Sequence, residues 1–182
     1  MGKYFFPDLV LPSVSHLDGA MLLERGIKGL LFDLDNTIIR RDAAILDQPA
    51  EQRLQELLAG GFRLAIVSNN GRTRVSGLAR QLGVPYVSRA VKPFGPSFKR
   101  AMQQTGTSRS ETAVVGDQVF TDVLGGNLLG LYTILVRPLP GKEFFGTRLI
   151  SRPLERLVLG RLPVVDRETV GPEGRLFNAD KR

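Results

Sequence analysis

Short apolar runs alternate with segments of helical spacing between about residues 26 and 137, and this alternation narrows the possible folds more than any other feature. The runs are rich in β-branched residues, which is typical of strands. They occupy residues 29–33, 62–68, 85–88, 112–117 and 132–136. Regular strand–helix alternation predicts an α/β fold, Rossmann-like and three-layered (α/β/α), with a mainly parallel five-stranded sheet.

Residues of distinct polar types stand where four of the predicted strands end. An open parallel sheet binds ligands at the carboxyl ends of its strands, so these residues should converge on one edge. In chain order they are Asp33 and Asp35, then Ser68, Asn69 and Asn70, then Lys92, then Asp117 and Asp122. A single aspartate there is commonly a turn or helix-cap residue, but four consecutive strand ends of this kind indicate a functional site.

Asp33 and Asp35 would share one face of an extended strand, since alternate residues point the same way. Two carboxylates that close repel each other by about 4 kcal/mol at an effective dielectric constant of about 20. A divalent cation would offset this repulsion, and oxygen ligands suit Mg²⁺ rather than zinc. The candidate Mg²⁺ ligands are Asp33, Asp35, Asp117 and Asp122.

The remaining strand-end residues fit a phosphate group. Ser68 and the backbone amides of Asn69 and Asn70 can hold phosphoryl oxygens, and Lys92 adds a positive charge. The chain has no cysteine and one histidine, which excludes thiolate nucleophiles, disulfides and multi-histidine metal sites. The route that stays open is attack on phosphorus by an ionised carboxylate, with an aspartyl-phosphate intermediate.

The net charge of +7 is unevenly distributed, because residues 63–109 contain nine basic side chains and no acidic one. Such a field attracts phosphates, nucleic acid or an anionic membrane surface, although a solvated basic face is the alternative for any one arginine. No apolar run approaches the roughly 18 residues that a spanning helix needs. The absence of cysteine fits a cytoplasmic protein.

The motifs FDLDNT (32–37), SNN (68–70), KP (92–93) and GDQVFTD (116–122), in this order, resemble those of the haloacid-dehalogenase-like (HAD) phosphohydrolases. The resemblance implies that Asp33 is the nucleophile and Asp35 the general acid and base. It also implies that Ser68 and Lys92 hold the phosphoryl group. The Mg²⁺ ligands that it implies are Asp33, the backbone carbonyl of Asp35, the side chain of Asp117, and Asp122 in support.

Members of this superfamily usually select substrates with an inserted cap domain. Here about 30 residues separate Asp35 from Ser68, and fewer separate Ser68 from Lys92. Neither interval holds a domain of even about 50 residues. We therefore expect a capless protein with an open site, suited to macromolecular substrates or to substrates embedded in a surface.

A longer run, GDQVFTDVLGGN (116–127) with GLYTILVRPL (130–139) and EFF (143–145), resembles the YqeG-type branch, which includes phosphatidylglycerophosphate phosphatases. This resemblance implies hydrolysis of phosphatidylglycerophosphate to phosphatidylglycerol. It also implies a protein bound peripherally to anionic phospholipid on the inner, cytoplasmic face of the membrane. One rival function is a capless phosphatase of a soluble phosphate ester or a phosphoprotein.

A second rival is a nucleic-acid or ribosome binding module on the same scaffold. It is disfavoured, because binding alone would not require Asp33, Asp35, Lys92 and Asp117 together.

We divide the chain into an N-terminal apolar segment on or beside the core (1–25), a phosphatase domain (26–162) and a polar tail, extended or disordered (163–182). Residues 4–12 and 143–161 are apolar enough to contact a membrane, or else pack against the core.

Overall fold

Six parallel strands form one sheet in the order β1-β6-β5-β2-β3-β4 in the computed structural model, which describes residues 2–43 and 45–139. The strands are β1 (Leu9–Leu11), β2 (Gly29–Phe32), β3 (Arg63–Val67), β4 (Tyr86–Val87), β5 (Thr112–Gly116) and β6 (Tyr132–Val136). The helices are α1 (Gly19–Glu24), α2 (Gln48–Ala59), α3 (Arg72–Leu82), α4 (Gly95–Thr105) and α5 (Leu124–Leu129). The α/β class and the parallel sheet are confirmed.

The sheet separates two apolar layers, because alternate strand residues point to opposite faces. On one face Leu30 and Phe32 pack with residues of α2 and α3, such as Leu54 and Leu78. On the other face Leu31 belongs to a separate cluster with residues of α4. The predicted three-layer arrangement is therefore correct.

The predicted count of five strands is wrong, because the N-terminal segment supplies a sixth. β1 pairs in parallel with β6, Leu9 opposite Ile134 and Leu11 opposite Val136. Its three residues lie between Pro7 and Pro12, and so short a run flanked by prolines has no strand signature of its own. Pairing with a partner about 125 residues away in sequence creates this strand.

Side chains near the N-terminus fasten this segment to the sheet. Phe5 contacts Phe120 edge to face, with ring centroids 5.6 Å apart. The Asn127 side chain donates to the backbone carbonyls of Tyr4 and Phe6 at 2.8 and 2.9 Å. Phe5 and β1 thus pack on the sheet as part of the fold, whereas Tyr4 is 39% exposed.

The chain reverses direction across the sheet between β2 and β5. From β2 it proceeds through β3 to β4 on one side, and then returns to β5 and β6 on the other. In doubly wound sheets, such a switch point opens a crevice at the carboxyl ends of the two strands. The predicted aspartates follow these two strands.

The intervals considered for a cap contain ordinary sheet and helix elements in the described residues. α2 lies between β2 and β3, and α3 and β4 lie between Ser68 and Lys92. No helix in the described part of the chain is long and apolar enough to cross a membrane. The apolar and basic segment 143–161 and the tail 163–182 lie outside the described residues.

Asp8→Ala should destabilise the fold through β6. Thr133 is fully buried, and its backbone N–H donates to Asp8 Oδ2 at 2.8 Å. Removing the acceptor leaves a buried amide without this partner, which costs about 1–3 kcal/mol of unfolding free energy. Urea denaturation measures the loss.

The control is Asp47→Ala, since Asp47 makes no side-chain capping bond and its loss should change stability by less than about 0.5 kcal/mol. Equal effects of the two substitutions would contradict this account of β1.

Candidate active site

The pairing of β2 with β5 determines where the first carboxylates lie. Phe32 stands opposite Val115, and the Asp33 N–H donates to the Val115 carbonyl at 2.8 Å. Asp33 therefore continues the line of β2 beside the end of β5, where Gly116 and Asp117 follow Val115. The two aspartates leave neighbouring strands at the switch point and so lie on one edge of the sheet, which is the convergence that the sequence predicts.

Three buried carboxylates converge at this point. Asp33, Asp117 and Asp122 each offer one oxygen atom, and these atoms lie within 4.8 Å of one another. Asp122 comes from a π-helical turn (Val119–Val123) directly after β5, and its Oδ2 accepts from the Gln118 N–H at 3.2 Å. The Thr37 hydroxyl donates to Asp117 Oδ1 at 3.4 Å.

Lys92 enters the cluster from the loop that follows β4. Its ammonium group forms ion pairs with Asp33 Oδ1 and, at 2.7 Å, with Asp122 Oδ1. Only 2% of the Lys92 side chain is exposed. Burial by itself would lower the pKa of Lys92, but Asp122 and Asp33 outweigh it and raise this pKa above the ordinary value. Lys92 is therefore a permanent cation of the site.

One ammonium group does not balance the carboxylates around it. Burial, opposed by Lys92 and reinforced by Asp122, raises the pKa of Asp33 to about 6. Burial also raises the pKa of Asp117 well above its usual value, and the charges of Asp33 and Asp122 add to the effect. Both shifts have the direction expected where negative charge is in excess in a poorly solvated place.

The structure meets the requirements of a divalent cation site. Asp33 Oδ2 is buried and has no hydrogen-bond partner among the described residues. A buried carboxylate oxygen without a partner is costly unless a ligand satisfies it. The donors at hand are all oxygens, which suits Mg²⁺, and such an ion would lower the two raised pKa values.

Asp35 lies apart from the three-carboxylate cluster. Its Oδ2 accepts from the Asn70 side-chain amide, and its Oδ1 accepts from Arg74 Nε at 3.2 Å. Arg74, on α3, also donates to the carbonyl of Arg40 at 3.1 Å. The side chain of Asp35 is therefore held at the side of the site as an oriented carboxyl group. Its backbone carbonyl as a metal ligand stays a prediction.

The residues after β3 support the Lys92 loop. Ser68 is buried, and its Oγ accepts from the Asn70 N–H at 3.2 Å. The Asn69 side-chain oxygen accepts from the Lys92 N–H at 2.9 Å. The side-chain oxygen of Asn69 therefore positions Lys92, whereas the predicted phosphate donor is its backbone amide. The peptide bond between Lys92 and Pro93 is cis.

A cavity of about 200 Å³ opens over these groups. Its walls include six of the predicted residues: Asp33, Asp35, Ser68, Asn69, Asn70 and Lys92. Arg41, Gln118 and Thr121 also line it, and sequence reasoning missed them together with Arg74. Gln118 and Thr121 stand inside the GDQVFTD motif and could have been found, whereas Arg41 and Arg74 are two among many arginines.

A larger cavity, of about 530 Å³, lies beside β4. It is lined by Arg72, Tyr86, Arg100 and neighbouring residues, and none of the clustered carboxylates lines it. Cavity volume alone therefore does not identify the active site of this protein. The smaller cavity contains the groups that can do chemistry.

Gly116→Ala should displace Asp122 and weaken divalent ion binding. A Cβ atom at Gly116 would lie 2.5 Å from Asp122 Cβ, and closer still to its carboxylate. The overlap should cost about 1–3 kcal/mol and reduce the rise in Tm that Mg²⁺ produces, as measured by calorimetry with and without the ion. The control is Gly77→Ala, where a new Cβ meets nothing within 4 Å. An undiminished Mg²⁺ response in the Gly116 variant would contradict the arrangement.

Asp117→Asn should stabilise the metal-free protein and abolish its response to Mg²⁺. The amide removes a buried charge whose neighbours repel it, while it keeps the shape of the side chain and can still accept from Thr37. In chelator at neutral pH we expect Tm to rise by about 2–4 °C, which corresponds to about 1 kcal/mol. Thermal melts with and without Mg²⁺ test both parts. A variant less stable than wild type in chelator, or one still stabilised by Mg²⁺, would contradict the interpretation.

Comparison with known proteins identifies relatives over most of the chain. The profile of the family described as mitochondrial PGP phosphatase matches residues 2–139. The chain is 38% identical to the "Probable phosphatase YqeG" of Bacillus subtilis over 160 residues, which are 88% of this chain and 92% of that protein. It is 31% identical to the chloroplastic phosphatidylglycerophosphate phosphatase 1 of Chlamydomonas reinhardtii, across 85% of this chain and 61% of that protein.

Solved structures share the fold. The cobalt-bound form of the deoxy-D-mannose-octulosonate 8-phosphate phosphatase YrbI from Haemophilus influenzae matches with a TM-score of 0.51 at 15% identity, over 75% of this chain and 89% of that chain. A Legionella pneumophila protein described as a HAD superfamily (subfamily III A) hydrolase matches with a TM-score of 0.50 at 23% identity, over 66% of this chain and 72% of that chain. The profile and the 38% identity to the B. subtilis protein show that the chain belongs to the PGP phosphatase family and is a phosphoric monoester hydrolase, and the solved structures show that it shares the fold of HAD superfamily hydrolases.

Proposed function

We propose that this protein hydrolyses phosphatidylglycerophosphate to phosphatidylglycerol and phosphate, with Mg²⁺ as its cofactor. The family profile and the substrate named for the relatives from Chlamydomonas reinhardtii and Saccharomyces cerevisiae support the substrate. The observation that carries the chemistry is the buried, unpartnered oxygen of Asp33 beside the Lys92 ammonium.

In the first step, Asp33 attacks the phosphorus atom of the ester. One oxygen of its carboxylate, which Lys92 contacts at Oδ1, forms the new bond. As the bond between Asp33 and phosphorus forms, the bond from phosphorus to the glycerol oxygen breaks. Ser68, the amide of Asn69 and the Lys92 ammonium hold the phosphoryl oxygens, where preorganised donors stabilise developing negative charge.

Asp35 acts as the general acid for the leaving group and then as the general base for water. Asn70 and Arg74 hold its carboxyl group beside the cavity. Asp35 gives its proton to the departing glycerol oxygen, and in the second step takes a proton from a water molecule. The water oxygen attacks phosphorus, phosphate departs, and Asp33 is regenerated.

Asp33, Asp117 and Asp122 would hold Mg²⁺, with the backbone carbonyl of Asp35. The ion supplies positive charge that keeps the carboxylates ionised and offsets the charge of the phosphoryl group. Because the site lies in an open cavity at the sheet edge, a phosphate headgroup can enter it while its acyl chains stay in a bilayer. We therefore propose that the protein binds a membrane peripherally, at the inner face that the family resemblance implies.

Asp33→Asn should reduce phosphatidylglycerophosphate hydrolysis by roughly 10³-fold or more, because an amide cannot attack phosphorus. Phosphate release from the lipid in mixed micelles measures this loss. The matched control is Asp42→Asn, on the loop that follows the site, where the carboxylate is exposed and pairs with Arg40 at 3.6 Å. It should retain wild-type rates. Activity of more than a few per cent in the Asp33 variant would place the nucleophile elsewhere.

The substrate assignment requires a comparison in the same assay. We expect a higher kcat/KM for phosphatidylglycerophosphate than for glycerol phosphate, with the Asp33→Asn protein as the blank and excess chelator abolishing both rates. Equal or faster turnover of the soluble ester would refute the lipid substrate and favour a phosphatase of soluble esters. Activity that persists in chelator would refute the metal.

A further inference from the structure

Two exposed apolar side chains flank the buried lysine of the site. As whole residues, Val91 is 63% exposed and Phe94 is 66% exposed, whereas Lys92 between them is 7% exposed, backbone included. The loop that delivers the catalytic ammonium therefore presents apolar surface to the outside at the same point. Large exposed apolar residues beside an active site commonly mark an interaction surface.

The two residues stand at the ends of one hydrogen-bonded turn. The Phe94 N–H donates to the Val91 carbonyl at 3.1 Å, and a four-residue turn of this kind brings its end residues within about 7 Å. Backbone bonds tie the preceding residues to the loop after β3, from the Arg89 N–H to the Asn70 carbonyl (2.9 Å) and from the Ala90 N–H to the Ser68 carbonyl (3.0 Å). The apolar pair is thus held in one place.

Each of these residues is a poor local choice for the backbone that carries it. Val91 has a φ of 52°, a left-handed conformation that β-branched residues strongly disfavour. Phe94 occupies the N-cap position of α4 and makes no side-chain cap, where serine or aspartate would stabilise the helix. Exposed positions that conflict with local preference point to a function that the fold alone does not explain.

The surroundings of this turn are basic. Arg89 is exposed on the same loop, and residues 63–109 contain no acidic side chain. On the loop that leaves β2 at the same sheet edge, Ile45 is 75% exposed, and the exposed Arg40 pairs with Asp42. Apolar tips beside the positive charge of Arg89 complement a bilayer that contains anionic phospholipids.

We propose that the Val91–Phe94 turn is the surface by which this protein docks on an anionic phospholipid bilayer. Val91 and Phe94 enter the boundary between headgroups and acyl chains, and Arg89 contacts the lipid phosphates. Since Lys92 lies between the two apolar residues, docking brings the cavity to the depth of a phosphate headgroup. The proposal rests on the proposed function in that it assumes a lipid substrate.

The test uses the full chain and sedimentation with vesicles. Wild-type protein should bind vesicles of equal parts phosphatidylcholine and phosphatidylglycerol, and bind pure phosphatidylcholine vesicles less. Val91→Asn and Phe94→Ser should each weaken binding to the mixed vesicles about tenfold, through lost apolar burial. The matched control is Leu23→Ser, which replaces a residue 49% exposed on α1, a helix followed by Arg25 over the ring of Tyr132 at the start of β6 and thus at the amino ends of the strands, and should leave binding unchanged.

Stability separates docking from a packing role. Asparagine tolerates the left-handed backbone and serine is a favoured N-cap, so both variants should keep or raise Tm while they lose vesicle binding. A lowered Tm, or a change in oligomeric state, would mean that the turn packs against residues 140–182 or a second copy, and would overturn the proposal. Unchanged vesicle binding in both variants would overturn it as well.

The two proposals fail in different ways. If wild-type protein hydrolyses the lipid but the turn variants bind vesicles normally, the docking surface is wrong and the function stands. If the variants lose vesicle binding but wild-type protein prefers the soluble ester, the docking surface stands and the lipid substrate is wrong.

Discussion

The ion pairs of Lys92 with Asp33 and Asp122 determine how the rest of the site is organised. A buried ammonium needs carboxylate partners, and here they come from the end of β2 and from the π-helical turn after β5, at the switch point of the sheet. With Asp117 added, three carboxylates surround one ammonium, which leaves two negative charges if all are ionised. That excess raises the pKa of Asp33 and Asp117, and a divalent cation would neutralise it.

Several residues around the site have the size or the hydrogen bonds that this cluster requires. Gly116 leaves space for Asp122, since any side chain at that position would overlap it. Asn69 fixes the Lys92 loop through the Lys92 N–H, and Asn70 and Arg74 turn Asp35 away from the cluster. On the same loop, Val91 and Phe94 are exposed and occupy backbone positions that favour other residue types. Local rules are broken where the site or its surroundings require it.

The sequence predicts the parts of this structure that depend on local pattern. Five strands, their helices and the convergence of Asp33, Lys92, Asp117 and Asp122 follow from periodicity and from the rule that parallel strands present their carboxyl ends together. β1 could not be found this way, because its three residues become a strand only by pairing with β6. The position of Asp35 against Arg74 depends on how α3 lies on the sheet, which side-chain packing decides and a linear motif does not encode.

The most direct test of the central claim is to trap the covalent intermediate. Wild-type protein is mixed with ³²P-labelled substrate and Mg²⁺, quenched in acid within one turnover, digested, and mapped by mass spectrometry. The account predicts label on the peptide that contains Asp33, and none when chelator replaces Mg²⁺. Label on any other residue, or label on Asp33 that forms equally well in chelator, would contradict it.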